Sequence, residues 1–504
     1  MAITKVTSSV LSSGSATDGY VLTADGSGNS AWEEVAGGPT FKTFGTSSIM
    51  IGDDATGTIS GANYNTGVGD GVFAALTEGD ENVMVGFAAG QTLTTGSHNI
   101  GIGVNAVDDC STGSFNVGIG THAVGSTTTA SNNVGVGYAA LFLNTTGSEN
   151  TALGALAADA NTTGINITAI GYGALTANTT ANNGTAVGKN ALAANTTGAS
   201  NTAIGKDALT SNTTASDNTA VGKDALTANT TGRWNTAVGS GALNSHTTPD
   251  GNDAFGYNAG KSITTGGVNV VIGSFSMDSG GAQTGGANTH IGHAGSRSLT
   301  SGASNTSCGL QSLYAITTGS FNACIGKDAG ASITTGSNNT LLGHVAGQSS
   351  QPGGQITTGS NQIVVGNSDS TNAHIQIDWT VASDKRDKTD VTPLDMGLSF
   401  INKLEPVTYK WDKRAKYEEG KTPDGTHKES WTDVGFLAQD VEKIEAEFGH
   451  KIEDETNLTT YLNDDGNSYG LTYTKFIPML VKSVQELSTQ VNELKSELLT
   501  LKGE

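Results

Sequence analysis

Two side chains in this sequence could do covalent chemistry together: Ser383 and Lys388, with Asp384-Lys385-Arg386-Asp387 between them. A lysine stripped of water gives up its proton more readily, and it can then act as base for a serine hydroxyl. An extended chain would splay residues five apart, so the segment must turn sharply for the pair to meet. Taken alone, the same residues describe a charged surface turn at least as well.

The other chemical candidates are weaker. Gly256-Tyr257-Asn258-Ala259-Gly260-Lys261-Ser262 falls one residue short of a phosphate-binding loop, and Gly67-Val68-Gly69 and Gly118-Ile119-Gly120 lack the surrounding βαβ pattern of a dinucleotide site. Seven of the nine histidines (His98, His122, His246, His290, His293, His344, His374) are scattered through the glycine-rich part, with only His290 and His293 close together and no thiol or carboxylate at ligand spacing. Cys110, Cys308 and Cys324 are an odd number without metal spacing, and Cys308 and Cys324 occupy expected core positions. Carboxylates are too sparse for a glycosidase pair on a long insertion. No cofactor and no metal is expected.

Ser383 also marks a change of composition. Residues 1–382 hold 9 Lys/Arg and 23 Asp/Glu, whereas the far shorter segment 383–504 holds 16 and 24. The charged share rises roughly fourfold at that point, and such a step reads as a domain boundary. The net charge of −22 disfavours nucleic acid, which demands clustered Lys and Arg. No stretch approaches the length of a membrane span, so no membrane insertion is expected. The opening residues lack the basic start and apolar run of a secretion signal, which implies synthesis in a cytoplasm.

The residues before the step repeat. From Gly52 a glycine recurs at every seventeenth position to Gly273, again from Gly292 to Gly343 after two extra residues, and once more at Gly366 after six, giving nineteen units. An apolar residue precedes each glycine (Ile51, Val85, Ile119, Ile170, Val221, Phe255, Cys308, Val365), and a residue such as Val117, Thr168 or Ile363 stands two positions earlier. Between them sits a small residue. This alternation predicts a short strand with one face inward, and the Ala-Leu pairs beyond the glycine (Ala191-Leu192, Ala208-Leu209, Ala225-Leu226) predict a second apolar anchor and a second short strand. Asn lies four residues before the glycine in fifteen of nineteen units, which predicts a ladder of stacked amides. The fold class that follows is mainly β: a parallel β-roll or β-solenoid of about nineteen 17-residue coils, then a small α+β domain with a C-terminal coiled-coil helix. So thin a core would gain by burying a flank against sister chains, so a trimer is expected.

The C-terminal helix is predicted from a heptad seam, Leu480, Val484, Leu487, Val491, Leu494, Leu498 and Leu501, alternating steps of four and three. The expected organisation is an N-terminal attachment segment over 1–45, a repeat stem over 46–366, a connecting strand over 367–382, and a final domain over 383–504 with its coiled coil at about 478–502.

Three resemblances extend this reading. Gly19-Tyr20-Val21-Leu22-Thr23-Ala24-Asp25-Gly26, leading to Trp32, forms a predicted hairpin and resembles segments near the ends of phage fibre proteins. The stem resembles the N-T-A-I-G-x-x-A-L repeats of trimeric adhesin heads. The order S-D-x-R-x-K from Ser383, then Leu404-Glu405-Pro406-Val407-Thr408-Tyr409-Lys410-Trp411, Gly435-Phe436-Leu437-Ala438-Gln439-Asp440-Val441 and Phe476-Ile477-Pro478-Met479-Leu480 is similar to the intramolecular chaperone domains that end endosialidase-type tail spikes and many phage tail fibres. That resemblance implies a domain that trimerises, guides folding of the fibre and cuts itself off. It implies Ser383 as nucleophile, Lys388 as base, Asp384 and Arg386 shaping the turn, and Ser383–Asp384 as the scissile bond with Ala382–Ser383 as the competing assignment. The expected protein is a virion tail fibre or spike that adheres to a host receptor (glycan or protein) and joins other tail proteins through its N-terminal end. A bacterial trimeric surface adhesin and a glycan-degrading tailspike are the alternatives.

Overall fold

The computed structural model describes residues 20–24, 30–34, 40–44, 46–52, 61–349, 354–370, 372–376, 381–417, 422–463, 466 and 468–503. They fall into two compact units, Met1–Ala287 and Asn288–Glu504.

In the first unit Tyr20–Ala24 and Ser30–Glu34 pair antiparallel, as the hairpin expectation requires; the turn between them lies outside the described residues. Thr40–Phe44 then runs antiparallel to Ser48–Gly52, which starts a ladder of parallel three-residue strands. Each strand pairs with the equivalent residues one coil further on, as in Thr151↔Thr168, Ala152↔Ala169 and Leu153↔Ile170. The predicted parallel β-solenoid is therefore the fold of the stem.

Each coil differs from the expectation in two respects. It carries one short strand and not two; the Ala-Leu segment turns, because the Leu itself sits in the left-handed region (Leu192 φ 53°, Leu209 φ 51°, Leu226 φ 50°). The strand also faces the other way from the one expected. Its small central residue is the buried one (Ala152, Ala169, Ala186, Ala203), while the flanking Thr and the Ile, Val or Leu before the glycine point outward. The physical reason is space: in these coils the interior is already filled by the Leu and Ala of the turn and leaves little beyond a methyl group, whereas Met84 and Leu341 fit the same position where the turn carries Gly90 or Gly347 instead. Cys308 occupies an outward position and is exposed, correcting its assignment to the core, whereas Cys324 takes a central position and is buried.

The glycine itself is explained by close approach. Gly205 adopts φ +140°, and a Cβ there would stand 2.4 Å from the carbonyl oxygen of Gly222 in the next coil.

The predicted amide ladder is present and saturated. Asn82 donates its backbone N–H and its Nδ2 to Asn65 Oδ1 at 2.9 and 3.0 Å, and Nδ2 also reaches the Gly96 carbonyl at 3.0 Å. A second buried ladder, at positions that read in sequence as turn residues, runs Asn144, Asn161, Asn178, Asn195, Asn212, Asn229 and ends at His246. It spans the coils where Ile167 and Gly184 interrupt the first ladder. Buried polar groups demand partners, and one ladder covers the gap in the other.

The second unit holds the strands Thr289–Ile291, Thr306–Cys308, Ala323–Ile325, Thr340–Leu342 and Ile363–Val365, again parallel and in register, together with the charged domain. The connecting strand expected over 367–382 does not form in 367–370 or 372–376; residues 373–376 are exposed and gain nothing from burial, and 377–380 lie outside the described residues. Among the described residues of the charged domain three α-helices, α1 (Leu398–Ile401), α2 (Ala438–Glu447) and α3 (Phe476–Leu501), accompany two antiparallel pairs, Val407–Tyr409 with Asp433–Gly435 and Thr460–Leu462 with Tyr469–Leu471. Met396, Phe400, Val441, Phe476 and Met479 form its core. Two carboxylates fasten the elements. Glu486 on α3 accepts the Leu398 N–H of α1 at 2.7 Å, and the buried Glu445 on α2 accepts from the backbone and hydroxyl groups of Thr459 and Thr460.

Candidate functional site

The junction residues meet because of one capped turn. Asp384 Oδ1 accepts the Arg386 N–H at 2.9 Å, starting a single 3-10 turn over Lys385–Asp387. The Arg386 guanidinium folds back on the same carboxylate, Nη2 to Oδ2 at 2.6 Å, and holds the Asp384 carboxyl below the usual carboxylate range. This turn reverses the chain over five residues, and Lys388 Nζ lies 2.6 Å from Ser383 Oγ. The two groups that the sequence singles out are thus adjacent, with Asp384 and Arg386 bracing the turn between them.

Their surroundings are open. Ser383, Asp384, Arg386 and Lys388 are all exposed in the single chain. An ammonium in water keeps its proton, so a base at Lys388 demands that something cover the turn.

Two apolar surfaces are uncovered as well. On α3 every residue of the heptad seam, Leu480 through Leu501, is exposed, while the first turn of the helix sends Phe476 and Met479 into the domain core. On the stem the residue before each glycine forms an outward apolar row, with Ile102, Leu153, Ile204 and Phe255 exposed in the first unit and Ile291 and Ile325 in the second.

Sequence reasoning misses Lys413, Lys416 and Asn463, which contact the end of the last coil, and Glu445. A lysine pair and an asparagine among many carry no periodic signal. The last-coil insertion ahead of Gly366 is the one visible hint.

Comparison with known proteins bears on the charged domain. Residues 383–450 match the family described as chaperone of endosialidase, and the match begins at the serine of the Ser383–Lys388 pair. The chain therefore carries an endosialidase-type chaperone domain behind a parallel β-solenoid, the build of a tail spike or fibre-type protein. No curated protein and no solved structure matches it. Among the described residues no helix is long and apolar enough to cross a membrane.

Proposed function

We propose that this chain is a homotrimeric virion tail fibre or spike whose C-terminal domain brings three chains together, sets the register of their solenoids and then releases itself at Ser383. The observation that carries the reading is the placement of an endosialidase-type chaperone domain directly behind a monotonous solenoid, with Ser383 and Lys388 in contact where the two join.

The physical need is register. Sliding one stem past another by a single coil restores nearly every contact, so local energies scarcely separate right pairing from wrong. Joining the C-termini through the α3 seam fixes the offset before slow, non-local strand pairing begins. The outward apolar row then has a partner surface on the sister chains. Once the linker is cut, the stem is trapped kinetically.

The same assembly supplies what the dyad lacks, because sister chains packed over the turn would remove water from Lys388. The two bonds that flank Ser383 call for different chemistry. At Ala382–Ser383, Oγ attacks the Ala382 carbonyl through a five-membered ring and passes its proton to neutral Lys388. The C–N bond then breaks, the Ser383 nitrogen takes that proton, and water hydrolyses the ester that results. At Ser383–Asp384, attack by Oγ on its own carbonyl would close a strained four-membered ring. That cut calls instead for water, or a sister chain's serine, activated by Lys388. The mass of the released fragment distinguishes the two.

Adhesion to a host receptor and attachment through the N-terminal segment complete the proposal. Denaturing gels of unboiled and boiled protein test it. Wild type gives a heat-dissociable trimer and a fragment of about 120 residues counted from Ser383, and Ser383→Ala gives the trimer uncut. A monomeric chain, or identical cleavage of both proteins, would refute the respective half.

A further inference from the structure

The last coil breaks the repeat period, and the break touches the chaperone domain. Six extra residues precede the strand Ile363–Val365, and among them is Gly354. Gly354 adopts φ +72° and lies so close beneath Asn463 that a Cβ would stand 1.6 Å from Asn463 Nδ2. Asn463 belongs to the turn of the C-terminal hairpin, where its Oδ1 accepts the Ser468 N–H at 2.9 Å and its carbonyl accepts the Gly466 N–H at 2.9 Å.

On the exit side of the same coil the contacts come from two lysines. Lys413 Nζ donates to the Ser368 carbonyl, and Lys416 pairs with Asp369. Lys416, and behind it Lys413, hold the Asp369 carboxyl below the usual carboxylate range. Asp369 stands three residues after the coil glycine, where the inner coils bury an alanine such as Ala191, Ala208 or Ala225. The coil that ends the stem thus replaces a buried methyl group with an exposed charge, and the domain beyond it meets that charge with two lysines.

We propose that Lys413, Lys416 and Asn463 form a docking site for the end of the stem, and that this site is a salt-sensitive latch holding the chaperone domain in place after the linker is cut. The coil-side residues Gly354, Ser368 and Asp369 lie upstream of Ser383, whereas the domain-side residues Lys413, Lys416 and Asn463 lie downstream. Cleavage between them leaves the latch whole. The six-residue insertion and Asp369 occur in this coil alone, so the domain can seat on only one of the nineteen, which gives a repetitive stem a defined end. Exposed ion pairs are individually weak and are screened over about 10 Å at 0.1 M salt and about 3 Å at 1 M. In a trimer three latches act together, so retention is strong at low salt and collapses at high salt.

The latch matters biologically only if the proposed cleavage occurs, but its existence is tested separately. In the full-length Ser383→Ala chain, a recognition sequence for a specific protease placed between residues 376 and 381 allows the linker to be cut at will. After cutting, the C-terminal fragment is expected to co-elute with the stem at about 50 mM NaCl and to fall at least about tenfold in retained fraction at about 1 M. Lys413→Glu with Lys416→Glu should release it already at low salt, and adding Asp369→Lys should restore retention. Co-elution indifferent to salt, or separation of the unreversed chain at low salt, overturns the latch. Should the reversed variant fail to fold, the salt series on the unreversed chain still decides. Failure of wild type to cut itself would count against the proposed function and leave this result standing.

Discussion

The stem and the C-terminal domain solve opposite problems with opposite chemistry. The stem is nearly uncharged, buries alanines and in many coils a leucine, and satisfies its buried amides by stacking like on like. The domain is about one-third charged, and its core of Met396, Phe400, Val441, Phe476 and Met479 uses large side chains, each in a single place. Translational sameness makes the stem extensible but blind to its own register. The domain's irregular core fits one arrangement only. On the function proposed above, the two belong in one chain because a structure that cannot tell its coils apart gains from a neighbour that can.

The largest expected effect comes from separating them. A chain ending at Ser383 should lose most of its soluble stem to aggregates or staggered rods, seen by sedimentation and electron microscopy. A soluble, heat-resistant stem of full length from that chain would break the comparison outright.

Single substitutions sharpen it. Gly205→Val puts a side chain where a Cβ alone would stand 2.4 Å from the Gly222 carbonyl. Because backbone of the next coil cannot yield, we expect at least about 4 kcal/mol of destabilisation in the stem, read by thermal melting. Phe400→Ala empties a fully buried site in the domain and should destabilise it by about 3–5 kcal/mol, read by Trp fluorescence in denaturant, with the stem's melting unchanged in the assembled protein.

Acid should discriminate next. His246 ends the second ladder, with Nδ1 facing Asn229 Oδ1 at 3.2 Å and Nε2 accepting from Asn252 Nδ2 at 3.0 Å, an arrangement suited to the neutral ring. Burial pushes its pKa down from 6.5 to about 4. The folded value lies below the unfolded one, so the unfolded chain binds the extra proton between these limits. Stability is full above pH 6.5, falls as pH drops toward 4 and levels off below, by on the order of 3 kcal/mol in all. Buried His290 in the second unit, pushed down to about 3, acts in the same direction. His246→Asn extends the amide ladder and should flatten the slope over pH 4 to 6.5, measured by melting temperature against pH.

The smallest effect lies in the domain. Glu445→Ala leaves the Thr459 and Thr460 donors without their acceptor and should destabilise the domain by about 2 kcal/mol, read by denaturant titration. An effect spreading to the stem would show that the two regions are less independent than their chemistry implies.

Much of this is legible in one dimension. A recurrent glycine period specifies a solenoid, because equal spacing of like residues means equal positions on successive coils; Asn at a fixed place in that period therefore specifies a ladder. The heptad seam from Leu480 to Leu501 specifies an apolar stripe on a helix in the same way. The adjacency of Ser383 and Lys388 is available from sequence only as a question, since it depends on whether Asp384 caps a turn.

What the sequence by itself determined was repeat, ladder, helix and the step in charge, all of them properties of order along the chain. Tertiary structure alone decided which face of each strand points inward, because that depends on volume already filled by the Leu of the turn. It alone placed Lys413, Lys416 and Asn463 against the last coil, because contacts between residues about 45 to 110 positions apart leave no periodic trace. Local periodicity is written in sequence; the filling of space and the meeting of distant side chains are settled only when the chain has folded.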